Sequence, residues 1–328
     1  MIVVTGGTGF LGHAVVRTLL ARGQAVRSIG RNPDRCATLE SLGATVIRGD
    51  LRDADFVASA CRDAEAVIHA GAFSEPFGPR EIFHASNVVG TRNVVAACLD
   101  QRVGRLVHIS SPAVVFDGLD QVNAREDVPY PTRYSSNYAW SKRLAEECVR
   151  AAKLDTVILR PKAIFGEGDV ALLPRIIRAA RMGRLPQIGH GQNRVDITHV
   201  DNVVHAICLA LKAPRATGRI YTITNGEHVA LWPMITRVLA YLGLRTELRR
   251  ISVYAALAIG RALELYARLA GGEPLLTRYT VSILAREQTY DISAAQRDLG
   301  YAPVMSFEQG FEATLAALLP TNATAPVS

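Results

Sequence analysis

Tyr138 and Lys142 bound the run Tyr138-Ala139-Trp140-Ser141-Lys142. On a helix that spacing sets a phenol and an ammonium on one face, one turn apart. A phenol of ordinary pKa, about 10, is a poor base at neutral pH, and an adjacent cation favours the phenolate. Such a pair could pass a proton to or from a substrate oxygen. Ser111, in Val107-His108-Ile109-Ser110-Ser111, would hydrogen-bond to that oxygen. A Tyr-x-x-x-Lys spacing alone is a weak signal; it gains weight from lying beyond a strand in a chain that opens on a dinucleotide turn.

That turn is the first stretch of the chain. Met1-Ile2-Val3-Val4-Thr5 reads as a short buried strand, and Gly6, Gly9 and Gly12 follow at the G-x-x-G-x-x-G spacing. Glycine there permits a tight turn, close approach of a pyrophosphate and close packing of helix on strand. The helix that begins at Phe10 would aim free N–H groups and its positive dipole end at the phosphates. Gly6, Thr8, Gly9, Phe10, Leu11 and Gly12 are therefore the first candidate cofactor contacts. An NAD site places a carboxylate at the end of the second strand, where it repels a 2′-phosphate. Here that strand ends Ile29-Gly30-Arg31-Asn32: the acid is absent and Arg31 offers a fork suited to phosphate, which favours NADP over NAD.

The elements that must position these residues alternate. Ala25–Ile29, Thr45–Ile47, Ala66–His69, Leu106–Ile109 and Thr156–Leu159 are short apolar or β-branched runs separated by helical patterns. They predict an α/β fold, a doubly wound parallel sheet of Rossmann type whose ligands bind beyond the carboxyl ends of the strands. Residues 1–165 are expected to form the NADP-binding domain, with 192–225 returning to it through a strand at Ile220–Thr224. A smaller, mostly helical substrate lobe is expected from 166–191 and 226–320, with helices at Ala171–Arg181, 231–243, 253–270 and 307–318. Residues 321–328 read as a flexible tail.

Beyond the turn, the two serines and the Tyr–Lys pair, four further stretches carry a resemblance: Gly49-Asp50-Leu51, His69-Ala70-Gly71-Ala72, Asn87-Val88-Val89-Gly90-Thr91 and Leu159-Arg160-Pro161. Together they resemble the extended short-chain dehydrogenases/reductases, over nearly the whole chain down to Leu299-Gly300-Tyr301-Ala302-Pro303. The resemblance implies that Asp50 and Leu51 flank the adenine, that Ala70, Gly71 and Ala72 line the cofactor, and that Pro161 to Ile164 border the nicotinamide. The stretch Ser110-Ser111-Pro112-Ala113-Val114-Val115-Phe116-Asp117-Gly118 is similar to the branch of 3β-hydroxysteroid dehydrogenases, 4-carboxysterol dehydrogenases and bacterial 2-alkyl-3-oxoalkanoate reductases. By that match Ser111 is the catalytic serine and Ser110 a cofactor neighbour, with Tyr138 and Lys142 also contacting the cofactor. The implied activity is NAD(P)-dependent interconversion of a ketone and a secondary alcohol on a hydrophobic 3-oxo/3-hydroxy acid or sterol-like substrate. Sugar-nucleotide epimerase or dehydratase chemistry is the first alternative, and a silent NADP-binding regulatory protein the second.

Other residues carry blander readings. Asn87 either steadies the site helix or its water, or caps a helix; His108, inside a strand, is read as packing; His199 with Asp201 is read as orienting a lobe contact or the cofactor edge, not as catalytic. Five scattered cysteines without paired spacing argue against zinc or a disulfide framework, and no metal site is expected. Those thiols, with a first strand that begins at the first residue and leaves no room for a signal peptide, suggest a reducing cytoplasm. The net charge is +7, but its arginines are dispersed, which argues against nucleic acid as a partner. The apolar segment 253–270 is interrupted by Arg261, Glu264 and Arg268 on one helical face, so it should not span a bilayer. Peripheral membrane contact through it stays open beside ordinary packing or capping of a greasy pocket. A homodimer also stays open, since nothing in the sequence specifies one.

Overall fold

A row of seven parallel strands places all the strand ends named above along one edge. The computed structural model describes residues 1–169 and 173–318. The central strands are β1 (Ile2–Thr5), β2 (Val26–Gly30), β3 (Thr45–Arg48), β4 (Ala66–His69), β5 (Arg105–Ile109), β6 (Thr156–Pro161) and β7 (Arg219–Ile223). Their order across the sheet is β7-β6-β5-β4-β1-β2-β3. The chain reverses direction across the sheet between β1 and β4, the switch point where open α/β sheets bind ligands. The parallel register sets Thr5 beside both Ile29 and His69, and His69 beside His108. The residues that follow these strands therefore emerge side by side.

The strands are apolar on both faces because helices cover both. Val4, Ile68, Val107 and Val157 point into one core with Val15, Leu19, Val203 and Ile207. Their neighbours Val3, Val67, Leu106 and Ile158 point to the other side, against Val57, Val94, Cys98 and Val149. This period-2 division of continuous apolar runs explains why the strands lack the polar alternation of a half-exposed sheet. The free cysteines behave as small apolar groups: Cys36, Cys61, Cys98 and Cys208 are buried and Cys148 is half-buried.

Beyond β6 a separate apolar core gathers Phe165, Ile176, Trp232, Ile235, Val238, Val281, Phe307 and Phe311. Its helices are Leu173–Arg181, Leu231–Tyr241, Val253–Ala270, Arg278–Ala285 and Phe307–Leu318. Residues 171 and 172 of the expected helix, and the expected tail, lie outside the described residues. The sequence pattern missed a four-stranded sheet of Gln121–Ala124, Arg194–Asp196, His228–Ala230 and Gln288–Tyr290. Each of its strands is too short to show a period, and two of the three pairings join residues more than 90 positions apart, as Val195 with Gln288 and Gln288 with Gln121.

One buried ion pair locks the site helix Asn137–Ala151 to β6. Arg160 donates to Glu146 through Nε at 2.9 Å and Nη2 at 2.7 Å, and the Tyr130 hydroxyl donates to the same carboxylate at 2.7 Å. The Arg160 and Glu146 side chains are 2% and 0% exposed, so removing one leaves the other charged without water. Glu146→Ala is expected to cost about 3–5 kcal/mol, read as a lower urea midpoint; an unchanged midpoint would show that the pair carries no such constraint.

Candidate active site

The helix Asn137–Ala151 is capped by the Ser136 side chain, which accepts from the Ala139 N–H. Its buried side includes Ala139, Ser141, Lys142, Ala145, Glu146 and Val149, the spacing of one helical face against the sheet. Lys142 reaches β5 at its end, where Nζ donates to the Ile109 carbonyl at 2.6 Å and lies 3.5 Å from His108 Nε2. Burial lowers the Lys142 pKa to about 8, against the opposing pull of Glu146. Tyr138 is half-buried, one turn earlier on the same helix.

The expected phenolate is not what this geometry favours. Burial pushes Tyr138 up to about 12; its hydrogen bond with Ser111 lowers the pKa and the Glu146 charge raises it. Burial thus prevails, and at neutral pH the phenol keeps its proton. Ser111 is half-buried and also accepts from the Ala113 N–H at 3.2 Å, starting the short turn Pro112–Val115. Structure thus brings Ser111, Tyr138 and Lys142 together at the end of β5.

The cofactor candidates lie along the same sheet edge. Gly6 has φ +71°, and a Cβ there would stand 2.6 Å from the Gly71 Cα. A Cβ on Gly12 would stand 2.1 Å from the Gly6 carbonyl oxygen. The helix Phe10–Ala21 starts at Gly9 without a side-chain cap, which leaves its first N–H groups facing outward beside Thr8, Phe10 and Leu11. Ala70 and Gly71 are half-buried beneath Gly6, and Ala72 is exposed. Leu51 packs so close to Gly71 that a Cβ there would meet its side chain at 2.7 Å. Ser110 is buried, and its hydroxyl is without a protein partner among the described residues. A glycine cradle, an uncapped helix end and an unpartnered buried hydroxyl fit a dinucleotide.

At the end of β2, Gly30 is packed against Thr8, and Arg31 is exposed 3.7 Å from Asp50. Asp50 also binds Arg52 at 2.7 Å, and that hydrogen bond, chief among several causes, holds its carboxyl below the usual range. Arg35 donates to the Thr8 carbonyl at 3.1 Å. Three arginines thus surround the Gly30 corner. Pro161 is buried at the end of β6, and Ile164 opens the short strand paired with Thr198–His199.

Of the two readings given for Asn87, the one that steadies the site helix holds. Asn87 does not cap a helix: it sits inside a π-helical turn, His84–Val89. Its Oδ1 accepts from the Phe73 N–H at 2.7 Å, and its Nδ2 donates to the Phe73 carbonyl and to Ser141 Oγ, both at 2.9 Å. Ser141 in turn donates to the Tyr138 carbonyl at 2.8 Å, so Asn87 ties the loop after β4 to the site helix. His69 lies 2.7 Å from Thr5 Oγ1 and 2.8 Å from Thr91 Oγ1, and burial lowers its pKa to about 3, leaving it neutral. Tyr279, from the helix Arg278–Ala285, packs edge-on against Phe116 with ring centroids 6.5 Å apart and is raised by burial and by Tyr138. No local spacing announces Tyr279, because it arrives from the far end of the chain. His199 caps the helix Val200–Ala210, a structural role.

The profile of the 3-beta hydroxysteroid dehydrogenase/isomerase family matches residues 3–252. The chain belongs to that family. It is an oxidoreductase that uses a nicotinamide dinucleotide. It is 39% identical to the 2-alkyl-3-oxoalkanoate reductase of Stenotrophomonas maltophilia, over 94% of this chain and 96% of that one. It is 31% identical to the decarboxylating sterol-4-alpha-carboxylate 3-dehydrogenase of Homo sapiens, over 95% of this chain and 86% of that one. Among solved structures, MoeE5 in complex with UDP-glucuronic acid and NAD is similar with a TM-score of 0.74, at 25% identity, over 97% of this chain and 98% of that one.

Proposed function

We propose that this member of the family reduces the ketone of a hydrophobic 3-oxo acid or sterol-like substrate, with Tyr138 as proton donor. The observation that carries the reading is the convergence at the end of β5 of Ser111, the Tyr138 phenol that it acts on, and Lys142, one helical turn from Tyr138 and bonded to the Ile109 carbonyl. The reductase and sterol-dehydrogenase relatives support the substrate class. A bound reduced nicotinamide supplies the hydride. The chain's own work is to hold the carbonyl oxygen between Ser111 and Tyr138 and to pass it the phenol proton as the carbon–oxygen double bond becomes an alcohol. Lys142 then stabilises the phenolate left behind. In oxidation the same groups would run in reverse, from an uphill phenolate.

For the cofactor, Gly6 through Gly12 would hold the pyrophosphate, Asp50 and Leu51 the adenine, Ala70 to Ala72 and Ser110 the inner face, and Pro161 to Ile164 the nicotinamide border. NADP is favoured over NAD by Arg31, Arg35 and Arg52 around Gly30, cations that suit a 2′-phosphate. Replacing Arg31 by Asp is expected to lower kcat/KM with NADPH about tenfold or more while sparing NADH; equal losses with both would remove the NADP reading.

Tyr138→Phe is expected to lower kcat by about 10²–10⁴ with cofactor affinity unchanged, followed by nicotinamide absorbance against 3-oxo acids, 3-ketosteroids and nucleotide sugars. A near-normal rate would remove Tyr138 from the role, and a preference for nucleotide sugars would move the chain to the epimerase or dehydratase alternative. Absent turnover with tight cofactor binding would favour the silent alternative.

The depressed Lys142 sets the sign of the pH dependence. Its ammonium persists below about pH 8 and is lost above it, so the reduction rate should hold at neutral pH and fall as pH rises through about 8. A rate that is flat to pH 10 would show that the Lys142 charge does not serve the step.

A further inference from the structure

The helix Val253–Ala270 is apolar on the side that faces solvent. Its inner side is settled by packing: Ala256, Gly260, Glu264 and Ala267 are buried. A Cβ on Gly260 would stand 3.1 Å from the Thr277 and Arg278 backbone, and Glu264 accepts from the Arg278 N–H at 2.7 Å and from its Nε at 3.0 Å. At about 100° per residue the opposite side carries Tyr254, Ala258, Ala262, Leu265, Tyr266 and Leu269, all of them exposed. Tyr254 is 86% and Leu269 82% exposed. Of the 14 exposed large apolar side chains among the described residues, five sit on this one helix, a concentration that scattered surface residues do not produce.

The exposed charges on the helix itself have one sign. Arg261 and Arg268 are exposed along one edge of the helix, and Arg249 and Arg250 are exposed just before its Ser252 cap. The helix has a single acid, Glu264, which is buried against Arg278. Glu273, just beyond the helix, lies 3.7 Å from Arg175. An apolar face with a cationic edge complements acidic lipid headgroups over acyl chains, whereas a second copy would bring only more cations. No helix among the described residues is long and apolar enough to cross a membrane, and this one has its inner side committed to the Arg278–Ala285 helix.

We infer that the outer face of Val253–Ala270 docks on an anionic bilayer surface, with the helix lying in the interface plane. The Arg278–Ala285 helix beneath it carries Tyr279, which packs edge-on against Phe116 just past the turn that Ser111 starts. The docked face is thus one helix layer from the reacting groups, where a greasy substrate can leave the bilayer for the site. That purpose rests on the hydrophobic-substrate reading; the docking does not.

The test sediments the full-length protein with vesicles of phosphatidylglycerol and phosphatidylcholine in about equal parts, and with phosphatidylcholine alone. Salt-sensitive binding to the anionic vesicles is expected. A Leu265→Glu/Leu269→Glu variant should lose about tenfold or more of that affinity with dinucleotide binding intact, and Arg261→Glu/Arg268→Glu should lose the preference for anionic lipid. No sedimentation, or undiminished binding by the leucine variant, would overturn the inference. So would a solution dimer that the leucine variant dissociates, which would assign the face to a second copy. Vesicle binding is read without turnover, so it stands or falls separately from the substrate assignment.

Discussion

The bond from Lys142 Nζ to the Ile109 carbonyl is the contact on which the site depends. It joins the site helix to the end of β5 at 2.6 Å, and so fixes where Tyr138 stands relative to Ser111, two residues past that carbonyl. A charged donor on a backbone carbonyl at this distance is a strong hydrogen bond in a buried setting. The cost is visible in the lysine itself, whose proton affinity falls because burial disfavours the ammonium.

Two further ties keep that contact from drifting. Glu146, one turn beyond Lys142, is held by Arg160 of β6 and by Tyr130. Ser141 is held by Asn87, which also grips the backbone of Phe73. The helix is thereby fastened to β5, to β6 and to the loop after β4, which between them border the reacting groups and the dinucleotide cradle. Such buried polar groups are costly unless fully satisfied, and here each finds its partner. A second buried set holds the small sheet together. Asp196 accepts from the Tyr290 N–H at 2.9 Å and faces His228 Nδ1 at 2.5 Å, and Lys162 donates to Gln288.

The sheet was legible because its strands are buried on both faces and stand out as apolar runs: Ala66–His69 matches its expected bounds, and the other expected central strands differ by one or two residues at their ends. Helices 231–241, 253–270 and 307–318 were legible through their period. The short strands of the second sheet were not, since three or four residues carry no period and their partners are distant. Arg160 was visible as part of Leu159-Arg160-Pro161, but its partner Glu146 was not, because the pairing joins a strand to a helix across 14 residues. Against the lowered Tyr138 pKa expected from Lys142, burial and the Glu146 charge push the phenol up, and neither is reported by a spacing.

By itself the sequence determined the glycine turn, the sheet that follows it, and the identity of a phenol, an ammonium and a hydroxyl able to handle a proton. Those are local properties: backbone freedom at Gly6, continuous apolar runs along the strands, one helical turn between Tyr138 and Lys142. Only the tertiary structure decided which groups are desolvated, which carbonyl claims the ammonium, and that Tyr279 arrives beside the site. It also decided that the outer face of 253–270 stays uncovered. Burial and electrostatic coupling depend on atoms brought together from distant positions, and no run of neighbouring residues contains them.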